Sequence, residues 1–348
     1  MIKKALAIGI SILLIISTVS CSKKDDKVDK YATKMDTIMH LTAYGPNADK
    51  AIDAAFNRVD EIENMASSSI STSDVSKINE AAGKEYVKVH PEILKIIKTS
   101  VEYSKISNGA FDITVSPLIQ LWGIGTDDER VPDDSEIKEK LALVGYDNIG
   151  INDNDSSVKL MKPDMAIDLG GVAKGFTADE IIKVFKQYGV ESAIINLGGS
   201  SIYTLGEKPD KTQWSIAIQH PRKEQNDGNI GIVKLNQSAL STSGDYQRFF
   251  MKDGKRYHHI LNPFNGYPAD AGVMSDTIIV DSSIDDCNML ADILTKITFV
   301  SGVDKGFKII NSLDGISCMA VTTDFKIYKS SKWDTNIEDL SPDFTMAN

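Results

Sequence analysis

The residues best suited to chemistry lie in the stretch Ala166–Asp179, which reads AIDLGGVAKGFTAD. An apolar lead-in ends at Asp168, two adjacent glycines follow, and Lys174 stands directly before another glycine and a helix-like run. Adjacent glycines where a strand meets a helix let the backbone approach a ligand closely and leave N–H groups free to bind anions. With a carboxylate at one end and an ammonium at the other, this junction is suited to a polar ligand that carries phosphate.

Two histidines, His258 and His259, lie side by side in the segment Tyr257–Asp270, which reads YHHILNPFNGYPAD. A histidine at the end of a strand, before a turn rich in Pro, Asn and Gly, is suited to act as a general base. Because side chains alternate across a strand, the two rings point to opposite faces and at most one of them serves a site. We expect the other ring to be packed within the protein.

An acidic residue, Asp292, stands inside the apolar helical stretch Asp286–Phe299, which reads DCNMLADILTKITF. Aspartate is unfavourable in a helix interior and costly to bury without a partner, so the position indicates a nearby cation or strong hydrogen-bond donors. A hard cation such as Mg²⁺ binds a carboxylate together with carbonyl and phosphate oxygens. Exposure of Asp292 at the surface is the alternative.

Two further segments each have two interpretations. In Gly109–Gly123, Phe111 and Asp112 either face a ligand or serve as a core ring and a helix N-cap. The second glycine pair, in Ile195–Ser200, forms either a tight turn or a stretch of backbone that lies against a ligand. Neither segment decides between its alternatives when it is considered alone.

The segment Leu240–Phe250, LSTSGDYQRFF, places several polar groups after a strand. The guanidinium of Arg248 is suited to a phosphate, and the carboxylate of Asp245 to orienting a base. Alternatively, the Ser-Gly-Asp sequence forms a turn with its own side-chain hydrogen bonds.

The elements that must position these residues are a mixture of helices and strands. Apolar spacing and stop signals predict helices at Ala48–Ala66, Pro91–Asn108, Thr177–Tyr188, Asp285–Phe299 and Val303–Leu313. Strand-like runs occur at Ser192–Asn196, Trp214–Gln219, Ile230–Leu235, Ser238–Ser241, Arg256–Leu261, Met274–Val280 and Ser317–Thr322. This order predicts one continuous α+β body with mostly antiparallel strands.

The N-terminus predicts export. Two lysines precede an apolar run from Ala5 to about Val19, which is too short for an ordinary membrane span and is typical of a signal peptide. The run ends at Ser20 before Cys21, which resembles a bacterial lipobox, so we predict a signal peptide at 1–20 and lipidation of Cys21. Secretion with cleavage nearby is the alternative. We expect a flexible tether at 21–30, the folded domain at 31–333 and a loosely ordered tail at 334–348.

Composition excludes one class of partner. The net charge of −11 argues against binding of nucleic acid. With Cys21 assigned to lipidation, only Cys287 and Cys318 remain, which is neither a disulfide framework nor a zinc-binding spacing. Whether these two cysteines pair is left open.

The segments above occur in one order: GAFD…P, DLGG-x-AKG, N-x-GG, TSGDY…F, HHI-x-x-P-x-x-G-x-P and AD-x-L. Over roughly Tyr31–Thr323 this set resembles the bacterial FAD:protein FMN transferase family, of ApbE type. The resemblance implies an α+β, T-fold-like domain of mixed, mostly antiparallel sheets with flanking helices. It also implies FAD bound in a cleft with Mg²⁺ at its pyrophosphate. Members transfer FMN from FAD to a threonine of a target protein, and some hydrolyse FAD to FMN and AMP.

The resemblance also implies roles for individual residues. Binding of FAD is assigned to Met35, Ser69, Ala110, Phe111, Asp112, Asp168, Lys174 and Ile260. Mg²⁺ is assigned to the Gly171 carbonyl, the Asp292 carboxylate and Thr295, which offers either its backbone carbonyl or, if the helix shifts, its hydroxyl. For the base that takes the proton from the acceptor we choose His259, with Asp245 as its orienting partner.

Three positions depart from the family pattern. Threonine is usual four residues after the metal-binding aspartate, but Lys296 stands there, with Thr295 one place earlier. A lysine at this position either weakens metal binding by repulsion or replaces part of the charge of the metal. The usual Met-Gly-Thr appears as Met-Asp-Thr at residues 35–37, and Ser69 stands where a tyrosine is common.

These departures keep two alternatives open beside transfer. Loss of a stacking ring at Ser69 would open the cleft to water, which favours a Mg²⁺-dependent FAD pyrophosphatase. Loss of the metal site through Lys296 would leave an FAD-binding lipoprotein without catalysis. Our leading expectation is an exported, lipid-anchored flavin transferase whose partners are FAD, an acceptor protein with a threonine, and a bacterial membrane.

Overall fold

The computed structural model describes residues 26–224 and 227–347. The strands in these residues are β1 Lys27–Lys34, β2 Thr37–Tyr44, β3 Val87–Lys88, β4 Ile149–Asn152, β5 Ser157–Leu160, β6 Ser192–Leu197, β7 Ser201–Leu205, β8 Trp214–Gln219, β9 Asn229–Leu235, β10 Ser238–Gly244, β11 Phe249–Lys252, β12 Lys255–His258, β13 Val273–Asp281, β14 Ile316–Thr322, β15 Lys326–Lys329, β16 Ile337–Glu338 and β17 Thr345–Met346. The α-helices are α1 Ala48–Ala66, α2 Asp74–Glu80, α3 Pro91–Ile106, α4 Ser116–Trp122, α5 Asp134–Leu141, α6 Ala173–Gln187 and α7 Cys287–Ser312.

A nine-stranded sheet, in the order β1-β2-β6-β7-β10-β13-β14-β15-β17, forms the central layer. Its neighbouring strands are antiparallel, except for the parallel pair of β15 and β17. Two three-stranded sheets, β16-β9-β8 and β3-β5-β4, and the hairpin β11-β12 complete the described strands. The predicted α+β class with mostly antiparallel sheets is confirmed.

Apolar side chains cover both faces of the central sheet. On one face, Leu41 and Ile278 belong to a core that the sheet shares with α1, α3, α6 and α7. On the other face, Leu240 packs with Trp214 and Ile218 from the β8–β9 sheet. Strand β13 is buried along its whole length except for its last residue. This burial follows from its position in the middle layer, where neither face of the strand meets water.

The close approach of helices α6 and α7 depends on Gly175. A Cβ at this position would lie 2.3 Å from the carbonyl oxygen of Asn288, in the first turn of α7. The start of α7 is held by the buried carboxylate of Asp179, which accepts hydrogen bonds from the backbone N–H groups of Asn288 at 3.1 Å and Met289 at 2.9 Å. The fold thereby sets the glycine-rich junction against the helix that carries Asp292.

Most predicted elements are present, with shifted boundaries. Helices α1 and α3 match the predictions, and α6 begins at Ala173 rather than at Thr177. The two helices predicted at Asp285–Phe299 and Val303–Leu313 are present as the two parts of α7, which a kink separates at Gly302. Its φ of 76° and ψ of 172° are not helical and are readily adopted only by glycine, so the helical hydrogen bonding is interrupted there.

Both ends of the folded body extend beyond the predicted domain. The expected tether at 21–30 is wrong for its last residues, because β1 begins at Lys27 and pairs with β2 along its length. The expectation of a loosely ordered tail is also wrong for the described part of 334–348. There β16 and β17 each join a sheet, and the ring of Phe344 is only 4% exposed. A single anchoring aromatic gives no periodic signal in the sequence.

The predicted export segment lies outside the part of the chain that the structure describes. Residues 1–20, the predicted signal peptide, and Cys21 lie outside the described residues. Within the described ranges, no helix combines the length and the apolar composition needed to cross a bilayer. Cys287 and Cys318 are both buried as free thiols, so they do not form a disulfide with each other.

Candidate active site

A large cavity opens where the glycine-rich junction, the β11–β12 hairpin and α7 meet. Its volume is about 1180 Å³, larger than the roughly 300–1,000 Å³ of typical small-molecule pockets. The charged residues on its described lining are six basic ones, Lys174, Arg222, Lys223, Arg248, Arg256 and Lys296, and four acidic ones, Asp36, Asp112, Asp168 and Glu224. Because the whole chain carries −11, this local excess of positive charge favours an anionic ligand.

The structure brings most of the predicted site residues to this cavity. Its lining includes Met35, Ala110, Phe111, Asp112, Asp168, Gly171, Lys174, His259 and Ile260. The predicted residues outside the lining are Ser69, Asp245, Asp292 and Thr295.

Asp168 is held in the turn that opens the glycine-rich junction. One carboxylate oxygen accepts the backbone N–H of Gly170 at 2.8 Å, and the other accepts the hydroxyl of Ser68 at 2.9 Å. The hydroxyl of Ser69 instead contacts the hydroxyl of Ser67 at 2.9 Å. Ser69 lies outside the cavity lining and its assignment to the ligand site stays a prediction, whereas Ser68 is the serine of this loop that reaches Asp168.

Lys174, in the first turn of α6, connects the two glycine pairs. Its Nζ donates a hydrogen bond to the hydroxyl of Ser200 at 2.7 Å, at the end of the second pair. Burial lowers the pKa of Lys174 to about 8; the charges of Lys296 and Arg248 act in the same direction, and that of Asp292 acts in the opposite one. The ammonium of Lys174 therefore lies near other positive charges, and binding of an anionic ligand would offset their repulsion.

Phe111 faces the cavity, whereas Asp112 caps a turn of backbone. The carboxylate of Asp112 caps a 3₁₀ turn by accepting the N–H of Thr114 at 2.8 Å, and it also accepts the N–H of Tyr146 at 2.8 Å. Burial raises the pKa of this carboxyl group. The ring of Phe111 lies beside Gly171, where a Cβ would be 3.5 Å away from it. Phe111 therefore shapes the cavity, while Asp112 mainly supports the backbone behind it.

His259 lines the cavity and His258 is packed in the core, as the strand alternation predicts. The Nε2 of His258 lies 2.9 Å from the carbonyl oxygen of Ala269. The Nδ1 of His259 lies 3.2 Å from the carbonyl oxygen of Arg248. Because a carbonyl only accepts, the proton of the neutral ring sits on Nδ1 and Nε2 keeps its lone pair. Burial and the charge of Arg248 lower the pKa of His259, so the ring is neutral at pH 7.

Asp245 has a different partner from the one predicted. Its two carboxylate oxygens accept hydrogen bonds from the Nη1 and Nη2 of Arg222 at 2.6 and 2.8 Å. Arg256 adds a hydrogen bond to the carbonyl oxygen of Asp245 at 3.3 Å. The prediction that Asp245 orients His259 is therefore wrong, because a bidentate guanidinium occupies the carboxylate. The group that orients the imidazole is the carbonyl of Arg248.

Asp292 is buried, with 1% of its surface exposed, on α7. One carboxylate oxygen accepts the backbone N–H of Gly175 at 3.0 Å, and the other contacts the Nζ of Lys296. The same Nζ donates to the carbonyl oxygen of Asp292 at 2.9 Å. The sequence predicts a cation or strong donors beside this buried acid. The structure supplies both, as the ammonium of Lys296 and the backbone N–H of Gly175.

Comparison with known proteins matches these features to one family. Residues 35–320 match the sequence profile of the ApbE family. The chain belongs to the ApbE family. It is 35% identical over 309 residues to a FAD:protein FMN transferase of Klebsiella pneumoniae (strain 342), an alignment that covers 88% of this chain and 93% of that relative.

Solved ApbE structures have the same fold. The ApbE protein of Thermotoga maritima has a TM-score of 0.79 at 31% identity, covering 88% of this chain and 97% of that one. The flavin transferase ApbE of Vibrio cholerae has a TM-score of 0.78 at 27% identity, with the same two coverages.

The donors that the ApbE resemblance assigns to Mg²⁺ do not fit a divalent cation as they are arranged. The hydroxyl of Thr295 is fully buried, donates to the carbonyl oxygen of Asp292 at 2.7 Å and accepts from Ser243 at 2.8 Å. The Cε of Lys296 would lie 3.7 Å from a Cβ on Gly171, so this side chain spans the space between the predicted ligands. Among the residues described, no cluster of three or more His, Cys, Asp or Glu is placed to hold a metal ion.

Sequence reasoning missed several polar residues of this ApbE site. Arg222 and Arg256 lie outside the motifs, and Arg222 is 23 residues from its partner Asp245. Ser68 was missed because the serine-rich loop gives no signal for which hydroxyl bonds to Asp168. The basic residues after β8 were the available hint, since Arg222 and Lys223 follow a predicted strand end.

Proposed function

We propose that this ApbE-family protein is a FAD:protein FMN transferase that cleaves the pyrophosphate of FAD and transfers FMN to a threonine of an exported protein. The observation that carries the proposal is the placement of His259 on the lining of a basic cavity, as a neutral imidazole whose Nε2 has no hydrogen-bond partner in the described part of the chain. The name of the Klebsiella relative supports the same activity.

Binding of FAD uses the two kinds of surface in the cavity. The cations of Lys174, Arg248 and Lys296 are suited to the negative pyrophosphate, whose charge they would offset more strongly in a partly buried site than in water. The apolar surfaces of Phe111 and Ile260 are suited to a flat aromatic ring system. The glycines between them let the backbone lie close to the ligand.

The transfer step needs one proton acceptor. The oxygen of the acceptor hydroxyl attacks the phosphorus of the FMN half and forms a new P–O bond, while its proton passes to the Nε2 of His259. The bond from that phosphorus to the bridging oxygen breaks, and AMP leaves with the bridging oxygen and the electron pair. The carbonyl of Arg248 fixes the ring by accepting its Nδ1–H. With water as the acceptor, the same step gives FMN and AMP.

Metal dependence and cellular location stay predictions. Mg²⁺ in the predicted position would require Lys296 to leave Asp292, with which it is paired in the structure. Lipidation of Cys21 would anchor the enzyme to a bacterial membrane, at the periplasmic or outer face, where exported acceptor proteins are present. Membrane fractionation of wild type and Cys21→Ser tests the anchor, because only the variant should appear in the soluble fraction.

One assay distinguishes the activities. The purified protein is incubated with FAD and with envelope proteins of the same cell, in the presence of Mg²⁺ and in its absence. Protein-bound flavin fluorescence in a denaturing gel, with release of AMP, is the expected result. Release of FMN and AMP without bound flavin would identify a pyrophosphatase instead. Unchanged FAD that stays bound would identify a binding protein without catalysis.

A further inference from the structure

The side chain of Lys296 lies between the buried Asp292 and the cavity. It lies one helical turn after Asp292 on α7, where its Nζ contacts both the carboxylate and the carbonyl oxygen of that residue. The lysine side chain is 21% exposed, whereas that of Asp292 is 1% exposed. Lys296 also belongs to the cavity lining. The ammonium therefore has a buried anionic anchor on one side and the ligand space on the other.

The hydrogen-bonding capacity of the ammonium leaves one donor for a ligand. A lysine ammonium has three N–H groups and no acceptor. Two of them are used by the two oxygens of Asp292. The third has no partner among the described residues and is available to a phosphate oxygen at the cavity surface.

A second buried acid lies near the same ammonium. Asp276 on β13 pairs in register with Ser243 of β10, whose hydroxyl contacts Thr295 of α7. Asp276 is fully buried, and neither of its carboxylate oxygens has a hydrogen-bond partner in the described part of the chain. The charge of Lys296 acts on Asp276 from α7. Lys296 therefore lies beside two buried acidic side chains, Asp292 in direct contact and Asp276 close enough for its charge to act on it.

We propose that the ammonium of Lys296 supplies, at the pyrophosphate of FAD, the positive charge that the ApbE resemblance assigns to Mg²⁺, so that this protein binds and cleaves FAD without a divalent cation. The inference rests on the proposed function and deepens it. A Mg²⁺ ion needs near-octahedral oxygen coordination, whereas here Lys296 occupies the carboxylate and Ser243 engages the threonine hydroxyl. A fixed ammonium needs no such ligand set, and Lys174 and Arg248 complete the positive surface.

The test measures FAD affinity and FAD cleavage by the wild-type protein in EDTA and in millimolar Mg²⁺. We expect both quantities to be nearly equal in the two conditions. A wild-type protein that loses cleavage in EDTA and regains it with Mg²⁺ would overturn the role of Lys296 while leaving the proposed function intact. A protein that does not bind FAD in either condition would overturn the proposed function itself.

Two substitutions separate charge from metal binding. Lys296→Met removes the ammonium. We expect FAD affinity to fall about 10- to 100-fold, both in EDTA and in Mg²⁺, because that is the loss in affinity when one hydrogen bond to a charged group is removed. Lys296→Thr restores the residue usual in the family, and we expect FAD affinity to be low in EDTA and to recover with Mg²⁺. Unchanged affinity of both variants in EDTA would contradict the proposal.

Direct metal titration gives a readout that does not depend on activity. Mn²⁺ binding, followed by its paramagnetic resonance signal, should show no tight site in the wild type and one site in Lys296→Thr. A tight site of equal affinity in both proteins would contradict the proposal. Melting temperatures of the variants confirm that each one is folded during the measurements.

Discussion

The backbone N–H of Gly175 donates a hydrogen bond to the carboxylate of Asp292 at 3.0 Å, so the glycine-rich junction and helix α7 meet at one buried acid. The missing side chain of Gly175 makes this contact possible, since α6 and α7 approach each other there. On the other side of Asp292 lies Lys296, which faces the cavity. Two distant motifs of the sequence are thereby joined into one site through a single carboxylate.

Replacement of Gly175 by alanine tests this contact. Its Cβ would lie 2.3 Å from the carbonyl oxygen of Asn288, and we expect the free energy of unfolding to fall by about 1–3 kcal/mol through overpacking. Gly171→Ala is the matched control, because its Cβ would meet no atom closer than 3.5 Å. Urea unfolding of both variants measures the difference. Equal stability of the two variants would show that the helices do not approach as closely as described.

Replacement of His259 by asparagine tests the base. The amide N–H of asparagine replaces the donor to the Arg248 carbonyl, but the acceptor Nε2 is lost. We expect the rate of FMN transfer to fall by about 10²- to 10⁴-fold, the usual contribution of a general base, while FAD affinity changes little. The control is His258→Asn, at the packed neighbour, which should lower stability and keep the rate per folded molecule. Transfer at the normal rate by His259→Asn would exclude the assigned role.

The pH dependence of FAD binding tests Lys174. Its pKa of about 8 means that the ammonium is charged below that pH and becomes neutral above it. Because the pyrophosphate is held by positive charge, FAD affinity should weaken as the pH rises from 7 to 9. Lys174→Arg keeps its charge throughout this range and should remove most of the change. Identical pH profiles for both proteins, measured by quenching of flavin fluorescence, would assign the titration to another group.

The buried acid Asp276 predicts a pH-dependent stability. Burial raises its pKa well above the usual value in the folded state, so the folded protein holds the proton more tightly than the unfolded chain does. Its contribution is therefore fully present below the unfolded pKa and is lost as the pH rises toward the folded pKa. The loss is at most about 1.4 kcal/mol per pH unit.

Asp276→Asn removes this titration. The stability of the variant relative to the wild type should increase as the pH rises above about 4, the ordinary pKa of an aspartate. Urea unfolding at several pH values between 4 and 8 measures the difference. A difference that does not depend on pH would mean that Asp276 titrates alike in the folded and unfolded states.

Local signals in the sequence were sufficient for part of the site. The glycine-rich junction was identified from residue types alone, because a strand-to-helix turn with paired glycines has a direct steric meaning. The division between His258 and His259 followed from the alternation of a strand. The helices α1 and α3 followed from apolar spacing and stop signals, which depend on neighbouring residues only.

Contacts between distant segments were not accessible in the same way. The pairing of Asp245 with Arg222 depends on how β8 and β10 are placed in different sheets, which no local pattern specifies. The order of the tail could not be predicted from apolar periodicity, because Phe344 is buried by tertiary packing against Phe325 and His220. For Lys296, the sequence left open whether the lysine repels the metal or replaces part of its charge. The contacts of its ammonium with Asp292 favour replacement.

The fate of oxygen during transfer shows which nucleophile attacks and which phosphorus it attacks. The reaction with FAD and an acceptor is run in water enriched in heavy oxygen, and the products are analysed by mass spectrometry. We predict one AMP for each flavinylated acceptor, with no heavy oxygen in either product, because the acceptor hydroxyl attacks the phosphorus of the FMN half. Heavy oxygen in AMP, or AMP released without flavinylated acceptor, would rule out this transfer step.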